Sequence, residues 1–386
     1  MSEKPSLWSL FCVFLRIGST AFGGFMALIA VVENQVVERR KWMKSEEFLD
    51  GLSLATVLMG AVAVNTVVYV GYRLRGGTGV LVSMLGIILP SFFLMLILTW
   101  AYLSYGSIPT VSKLFMGCIP AVAAIILVAA LNMGKKAILG RKEAILTVIA
   151  AALMISEGSF WMSILVIVGS GVSGIWLFRT PLSQDTFECP SVSPEKISLK
   201  GIAVASLLSV PFLAGTLTAK LFLTFAGMSL LLFGGAYAFI PLIHQTVVET
   251  NGWLTQQEFV DAIAMSQIMP GPIVLSTVFI GYKLAGVWGA MAATVGIFLP
   301  PALLMVIATS YLNKIKTSLA IKAVLKGVRP AVIGMIVSAV VAVGATAPYT
   351  GVSVMIFGTT LFTLLKFKLD VVWIIPTAGL LGLLAY

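Results

Sequence analysis

Long apolar stretches separated by short polar ones form the dominant pattern along this chain. The clearest of them predict membrane-spanning helices, since about 20 apolar residues in a helix cross the hydrocarbon core of a bilayer. These runs cover residues 80–102, 114–133, 143–156, 160–178, 221–243 and 287–311. The pattern therefore predicts an all-α, multi-pass membrane protein surrounded by the lipid bilayer, with no soluble domain of any size.

Two further apolar segments, residues 7–32 and 48–72, are interrupted by glycines, at Gly23-Gly24 and at Met59-Gly60-Ala61. If each segment crossed the membrane once, the basic cluster at 135–142 would lie opposite the one at 39–41, against the positive-inside rule. If each is a re-entrant pair of half-helices, nearly all basic clusters share one side. We therefore predict broken, re-entrant helices.

Most motifs of the first part of the chain recur about 210 residues later. Phe22-Gly23-Gly24 returns as Phe233-Gly234-Gly235, and Gly71-Tyr72-Arg73 returns as Gly281-Tyr282-Lys283. A repeat that keeps its spacing over such a distance indicates duplication. The predicted organisation is a first membrane repeat at 1–178, a linker at 179–220 with one extra transmembrane helix at 202–217, and a second membrane repeat at 221–386.

The two copies differ in the charge of the loop that follows Phe-Gly-Gly. The loop at 33–47 carries Arg39, Arg40, Lys41 and Lys44, whereas the matching loop at 244–258 has no lysine or arginine. Equivalent loops with opposite charge bias indicate opposite sides of the membrane. We therefore predict two inverted halves in the cell inner (plasma) membrane, with the N-terminus cytoplasmic and the C-terminus outside.

Composition supports the membrane assignment and narrows the chemistry. Of 386 residues, 59% are hydrophobic and 10% charged, against about 25% charged in soluble domains. The net charge of +10 comes from clusters between apolar runs, so no nucleic-acid partner is expected. Three scattered cysteines, one histidine and no nucleophile–base constellation predict no metal, no cofactor and no enzyme activity. Thr255 and Glu258 have the spacing of a capping box.

Pro270-Gly271-Pro272 lies within an apolar segment of the second half. Its two prolines remove backbone donors and break the helix, and irregular backbone at membrane depth needs protein or a wet cavity around it. The half-helix after Pro272 directs its N-terminal N–H groups at the break, which favours an anion. Gln267, Ser276 and Thr277 lie within two turns and offer further donors. The alternative is a purely structural kink.

Charged residues at matched positions offer further candidates. Arg73 and Lys283 are matched cations that either guide an anion or extend to the interface, and Arg16 lies inside an apolar run where a charge costs at least ~2.5 kcal/mol. Matched acids near the hairpins are either proton-relay groups or solvated helix caps. The candidate coupling residues among them are Glu38, Glu249, Asp50 and Asp261.

At these motifs the chain resembles the chromate ion transporter family, in both halves. The resemblance rests on Phe-Gly-Gly, Pro-Gly-Pro and Gly-Tyr-Arg/Lys, on Trp-x-x-x-x-Glu-Phe (Trp42–Phe48 and Trp253–Phe259), and on Gly-Ile-x-Leu-Pro (Gly86–Pro90 and Gly296–Pro300). It implies a membrane carrier that exports chromate, driven by the proton-motive force, with sulfate as a structural analogue. The first half departs from the family pattern, with Thr56 and Met59-Gly60-Ala61 where the family has glutamine and Pro-Gly-Pro.

Our hypothesis is alternating access around a midplane site formed by the broken hairpins. The candidate substrate-binding residues are Arg16, Gly23, Gly24, Gly60, Asn65, Arg73, Gly234, Gly235, Gln267, Pro270, Gly271, Pro272, Ser276, Thr277 and Lys283. The alternative functions are an oxyanion channel and a membrane transport subunit for another anion. A homodimer is an open possibility, since the sequence does not define an oligomeric state.

Overall fold

The fold is built from α-helices. A computed structural model describes residues 5–20, 24–105, 109–156, 160–178, 216–232, 239–310, 319–345, 347–348, 350–367, 369 and 371–385. No β-strand occurs within these ranges. The predicted all-α class is therefore confirmed.

Seven helices lie in the described part of the first half. They are α1 (Leu7–Thr20), α2 (Gly24–Glu33) followed by a π-helical turn (Asn34–Arg39), α3 (Ser45–Val57), α4 (Val62–Tyr105), α5 (Pro109–Ala137), α6 (Arg141–Ser156) and α7 (Phe160–Leu177). The predicted interruption at Gly23-Gly24 falls at residues 21–24, of which only Gly24, the first residue of α2, is described. Gly23 itself lies outside the described residues.

The second half repeats this order. Its helices are α8 (Thr216–Ser229), α9 (Phe239–His244) with a π-helical turn (Gln245–Thr250), α10 (Gln256–Ile268), a 3-10 turn (Ile273–Leu275), α11 (Ser276–Ser310), α12 (Leu319–Gly344), α13 (Gly351–Lys366) and α14 (Val371–Ala385). Both ends of α10 lie 211 residues after those of α3, so the predicted duplication is confirmed. Gly234, Gly235 and nearly all of the predicted extra helix at 202–217 lie outside the described residues.

α4 and its counterpart α11 are each a tight helical hairpin. As a straight rod, the 44 residues of α4 would extend about 66 Å, twice the hydrocarbon thickness. Instead, α4 turns at Arg75 and Gly76, which leave the helical conformation, and its two legs touch. A Cβ atom on Gly79 would lie 2.1 Å from the carbonyl oxygen of Gly71, so only glycine permits this approach. α11 turns in the same way at Ala285 and Gly286.

Four described helices are long and apolar enough to cross a membrane: Val62–Tyr105, Phe115–Lys135, Ile273–Thr309 and Ala323–Gly344. Shorter apolar helices surround them, and large apolar side chains such as Trp8, Trp176 and Trp373 are exposed on the outer surface. An apolar outer surface of this extent suits lipid rather than water. The chain is a multi-pass membrane protein.

The two halves interlock through reciprocal contacts. A Cβ atom on Gly327 would lie 2.7 Å from the Cα of Gly174 in the first half, and one on Gly117 would lie 2.6 Å from the Cα of Gly382 in the second. Gly117 corresponds to Gly327, and Gly174 to Gly382, with offsets of 210 and 208 residues. Such an exchange of partners is what a two-fold relation between similar units produces. The halves are thus related by a pseudo-two-fold axis, with small residues at the contacts.

Candidate anion-binding site

The helix break of the second half lies between α10 and the 3-10 turn. Met269 and Pro272 have extended backbone, with ψ of 152° and 134°, and Gly271 between them has φ of +120°. That value is open to glycine and strained for other residues. Prolines on both sides supply no N–H groups, so the chain leaves one helix and enters the next without unpaired backbone donors at Pro270 and Pro272.

The first half has an equivalent break without prolines. Leu58 is extended at the end of α3, and Gly60, 211 residues before Gly271, has φ of +106°. Met59 and Ala61 occupy the two proline positions. The backbone N–H of Gly60 donates to the Leu232 carbonyl of the other half at 2.7 Å. The glycine, common to both copies, is therefore what the break requires.

Each break packs against the hairpin of the opposite half. The Ser91 hydroxyl donates to the carbonyl of Pro270, and a Cβ atom on Gly271 would lie 2.4 Å from the Ser91 oxygen. In the reciprocal contact, a Cβ atom on Gly60 would lie 2.5 Å from Pro301, whose position corresponds to Ser91. The two breaks are thus held in the interior by matching surfaces.

Three side-chain donors around the second break have no hydrogen-bond partner. Gln267 Nε2, Ser276 Oγ and Thr277 Oγ1 are the buried side-chain atoms in this state among the described residues, and their residues are 7%, 1% and 0% exposed. A buried donor without a partner costs about 1–3 kcal/mol. Serine and threonine in a helix commonly donate to the carbonyl four residues earlier, and these two do not. The three donors are therefore available to a ligand.

The helix that follows adds backbone donors to this set. It begins at Ile273 and continues through Ser276, and the first N–H groups of a helix lack carbonyl partners within it. The same helix end carries a partial positive charge. Three free side-chain donors and a helix N-terminus, all buried and none with a formal charge, form an arrangement suited to an anion with several acceptor oxygens.

The corresponding side chains of the first half are already paired. Asn65 Nδ2 donates to the Met59 carbonyl at 2.8 Å, the Thr66 hydroxyl to the Val62 carbonyl at 2.8 Å, and the Thr56 hydroxyl to the Ser53 carbonyl at 2.7 Å. These residues stand 211 before Ser276, Thr277 and Gln267. Of the predicted residues at the first break, Asn65 thus uses its donor to close the break. The two copies share a backbone but differ in available donors.

The two matched cations lie in ion pairs. Arg73 contacts Glu47 at 2.6 Å, and Lys283 contacts Glu258 at 2.5 Å. Glu258 also closes the predicted capping box with Thr255, which is confirmed. Burial would raise the pKa of Glu258, but hydrogen bonds from Lys283 and Thr255 outweigh it and lower this pKa below its usual range. Each pair joins the start of a re-entrant helix to the first leg of a hairpin.

Exchanging the charges of the Arg73–Glu47 ion pair tests whether the pair has a structural role or acts directly on the substrate. Arg73→Glu and Glu47→Arg should each lower the melting temperature, because like charges then face each other at a half-buried contact. The double variant should recover most of that loss, since the attraction is restored; half-exposed pairs contribute about 1 kcal/mol or less. Thermal unfolding and the KM for oxyanion transport are measured. A double variant with wild-type stability but a strongly raised KM would contradict a structural role.

One of the four candidate coupling acids is deeply buried. Asp261, on α10, is 2% exposed; the Tyr102 hydroxyl donates to its Oδ2 at 2.6 Å and Gln257 Nε2 to its Oδ1 at 2.9 Å. No described basic side chain forms an ion pair with it. Tyr102 belongs to the first half, so the contact crosses the pseudo-two-fold axis. No motif in the sequence marked Tyr102, which ends the apolar run at residues 80–102.

The other three acids lie in more open surroundings. Asp50, the counterpart of Asp261, is half-buried, while Glu38 and Glu249 are exposed. Asn34 donates to Glu38, and Glu249 lies 3.2 Å from the ring of His244. Their exposure favours the interpretation as solvated polar groups.

The remaining predicted residues lie away from the second break. Arg16 is exposed on α1 and lines a cavity together with Arg40. Gly24 is the first residue of α2. The structure therefore brings together Gln267, Pro270, Gly271, Pro272, Ser276 and Thr277, and separates them from Arg16, Arg73 and Lys283.

Two repeated halves, each with a helix broken inside the protein, are the architecture of secondary membrane transporters. Comparison with known families agrees with this class. The model of the chromate transporter family matches residues 8–175 and 219–383, and the chain belongs to that family. No solved structure matches the chain.

Three relatives with curated names are similar in length to this chain. The chain is 32% identical over 391 residues, 99% of its length and 94% of the relative, to a chromate transport protein of Cupriavidus metallidurans. It is 33% identical to a probable chromate transport protein of Synechococcus elongatus, covering 88% of the chain and 85% of the relative. It is 30% identical to a chromate transport protein of Pseudomonas aeruginosa, covering 98% and 92%.

Proposed function

We propose that this protein exports chromate, or a related tetrahedral oxyanion such as sulfate, by alternating access around the second break. One observation carries the proposal: Gln267, Ser276 and Thr277 leave three buried donors unpaired beside a helix N-terminus. The names of the three relatives support chromate as the substrate. The donors are neutral, so binding neither requires nor traps a permanent counter-charge, which suits a carrier that must also release its anion.

The proposed orientation follows from the charges of the two matched loops. The loop with Arg39, Arg40 and Lys41 lies in the cytoplasm together with the N-terminus, and the loop around Asn251 lies outside. The linker at 179–220 contributes one extra crossing that inverts the second repeat, and the C-terminus is then external. In this arrangement the pseudo-two-fold axis lies in the membrane plane, as in other transporters with inverted repeats.

Asp261 is the proposed link to the proton-motive force. It lies six residues before Gln267 on α10, about 9 Å along the helix. An ionised carboxylate there repels an anion held at the break, so protonation of Asp261 strengthens anion binding, and the proton and the anion move together. A dianion with one proton carries a net charge of −1, which an inside-negative potential drives outward by about 2.3 kcal/mol per 100 mV. The potential thus drives export against the pH gradient, which opposes the outward movement of the proton by about 1.4 kcal/mol per pH unit.

The test is flux in proteoliposomes with two matched variants. Thr277→Val removes an unpaired hydroxyl, and Thr66→Val removes the equivalent hydroxyl of the first half, which is already bonded to its own helix. Thr277→Val should raise the KM for chromate about tenfold, the loss of one hydrogen bond to a charged ligand. Thr66→Val should leave KM within about twofold. Both variants are checked for monodispersity.

The same assay separates a carrier from a channel. A carrier saturates with substrate and shows counterflow, whereas a channel follows the electrochemical gradient without saturation. Equal KM values for Thr277→Val and Thr66→Val would contradict the site. Flux of chloride at the rate of chromate and sulfate would contradict the oxyanion substrate class.

A further inference from the structure

A cavity of about 200 Å³ lies beside α1, apart from the second break. It is lined by Cys12, Val13, Arg16, Ile17, Thr20, Val31, Gln35 and Arg40. We infer that this cavity is a vestibule that draws a tetrahedral oxyanion from the cytoplasmic face toward the binding site. The inference rests on the proposed function, since it assigns an access path to the same transported anion.

The cavity extends along one face of α1. Cys12, Arg16 and Thr20 are spaced by four residues, so they share that face and span about 12 Å. Arg40 marks the outer end, because its Nη1 lies 3.4 Å from the Ser9 hydroxyl and its guanidinium lies 5.0 Å from the centre of the Trp42 ring. Two cations are thus placed one after the other along the path.

The helix that carries the cavity, α1, packs close to the second break. Gly18 packs directly against the backbone of Ile87, and Ser91, one turn or about 6 Å further along that helix, donates to the Pro270 carbonyl. The last turn of α1 is therefore about one helical turn from the backbone that holds the donors. Arg16 and Gly18 face opposite sides of α1, because two residues correspond to about 200° of rotation, so an anion at Arg16 reaches the donors by passing around this helix.

The charge of the cavity is a property of one half alone. At an offset of 211 residues, Gly227 and Asn251 replace Arg16 and Arg40, and Leu223 replaces Cys12. An exposed arginine on an apolar helix costs at least ~2.5 kcal/mol unless water reaches it, and a cavity of this volume holds several waters. With the basic loop in the cytoplasm, anion recruitment is then confined to the side from which export begins.

Cys12 is exposed on the cavity wall and reports on the field without any need for transport. The full-length protein in neutral-lipid nanodiscs is treated with a methanethiosulfonate reagent carrying either a sulfonate or a trimethylammonium group. Adduct at Cys12 is quantified by peptide mass spectrometry. The rate of Cys12 modification by the anionic reagent is divided by the rate for the cationic reagent, with each rate normalised to its reaction with free cysteine. This ratio should be about ten, because two cations lie near Cys12 in a partly shielded site.

Arg16→Gln and Arg40→Gln should each lower this ratio severalfold. Lys44→Gln is the matched control: it removes one positive charge from the same exposed loop, but Lys44 does not line the cavity, and the ratio should not change. Sulfate should slow Cys12 modification by the anionic reagent in the wild type and not in Arg16→Gln. Sulfate is used because chromate oxidises thiols.

Three outcomes would overturn the vestibule. The first is a modification rate ratio near one in the wild type, and the second is an equal fall of this ratio in Lys44→Gln. The third is protection of Cys12 by anionic lipids but not by sulfate, which would make the cavity a lipid-headgroup site. The result is separable from the proposed function. Thr277→Val should lose transport affinity yet keep sulfate protection at Cys12. If sulfate protects Cys12 but the protein transports no oxyanion, the cavity is an anion-binding site and the proposed transport function is wrong.

Discussion

Gly271→Ala should reduce oxyanion flux at least about tenfold while the protein still inserts and remains monodisperse. At φ of +120° an L-residue carries strain on the order of 1–3 kcal/mol. The new Cβ would also lie 2.4 Å from the Ser91 oxygen. Relief of this contact moves the backbone that aims the N-terminal N–H groups, and each 1.4 kcal/mol of lost binding is a factor of about ten. Proteoliposome flux measures the effect.

Gly286→Ala is the matched control for this change. Gly286 also has positive φ, +60°, but no atom lies within 4 Å of an added Cβ, so the cost is about 1–2 kcal/mol of stability and flux should stay near the wild-type value. Combining Gly271→Ala with Ser91→Ala should restore part of the flux, because it removes the closest contact and leaves the backbone strain. Wild-type flux in Gly271→Ala would show that the break does not position the donors.

The backbone of the site could be predicted from sequence because its determinants are local. Pro270-Gly271-Pro272 marks a helix break wherever it occurs, and the repeated motifs with constant spacing predict a second, equivalent break at Gly60. The structure adds that the glycine matters more than the prolines, since Met59 and Ala61 flank a break with the same positive φ. Fold class and duplication follow from hydropathy and repetition, which can be read from the sequence without knowledge of tertiary contacts.

The partners of the polar groups could not be predicted, because they depend on contacts between distant segments. Arg73 and Lys283 are cations at conspicuous matched positions, yet each pairs with a glutamate about 25 residues earlier. Asp261 is matched in sequence by Asp50, but only Asp261 is buried with a tyrosine from the other half. Sequence identifies which groups are present, and packing determines which remain available.

This difference between equivalent positions explains how a duplicated protein can hold one asymmetric site. The first half uses Asn65 to close its own break and Thr66 to bond within its own helix, so it offers no free donors at these positions. The second half keeps the free donors and the buried acid. In the proposed mechanism, alternating access uses the shared backbone of both halves, whereas binding and coupling use the side chains of one.

Asp261→Asn should abolish the coupling of oxyanion movement to a pH gradient. For co-transport of one proton, an exterior one pH unit more acidic than the lumen should drive about tenfold accumulation at zero membrane potential, because one pH unit corresponds to 1.36 kcal/mol per proton. Asparagine is nearly isosteric and still accepts from the Tyr102 hydroxyl, but it carries no exchangeable charge. The accumulation ratio in the variant should therefore fall to about one.

The test uses sulfate beside chromate, since sulfate remains a dianion between pH 6 and 8. Affinity in the wild type should rise as the pH falls, because the neutral carboxyl no longer repels the anion, and affinity in Asp261→Asn should be independent of pH. Counterflow at equal pH should persist in the variant, since the donors at Gln267, Ser276 and Thr277 are intact. Asp50→Asn provides the control and should keep pH-driven accumulation, because Asp50 is only half-buried. If Asp261→Asn still accumulates sulfate against its gradient, the proton binds elsewhere, and the buried acid serves only to join the two halves through Tyr102.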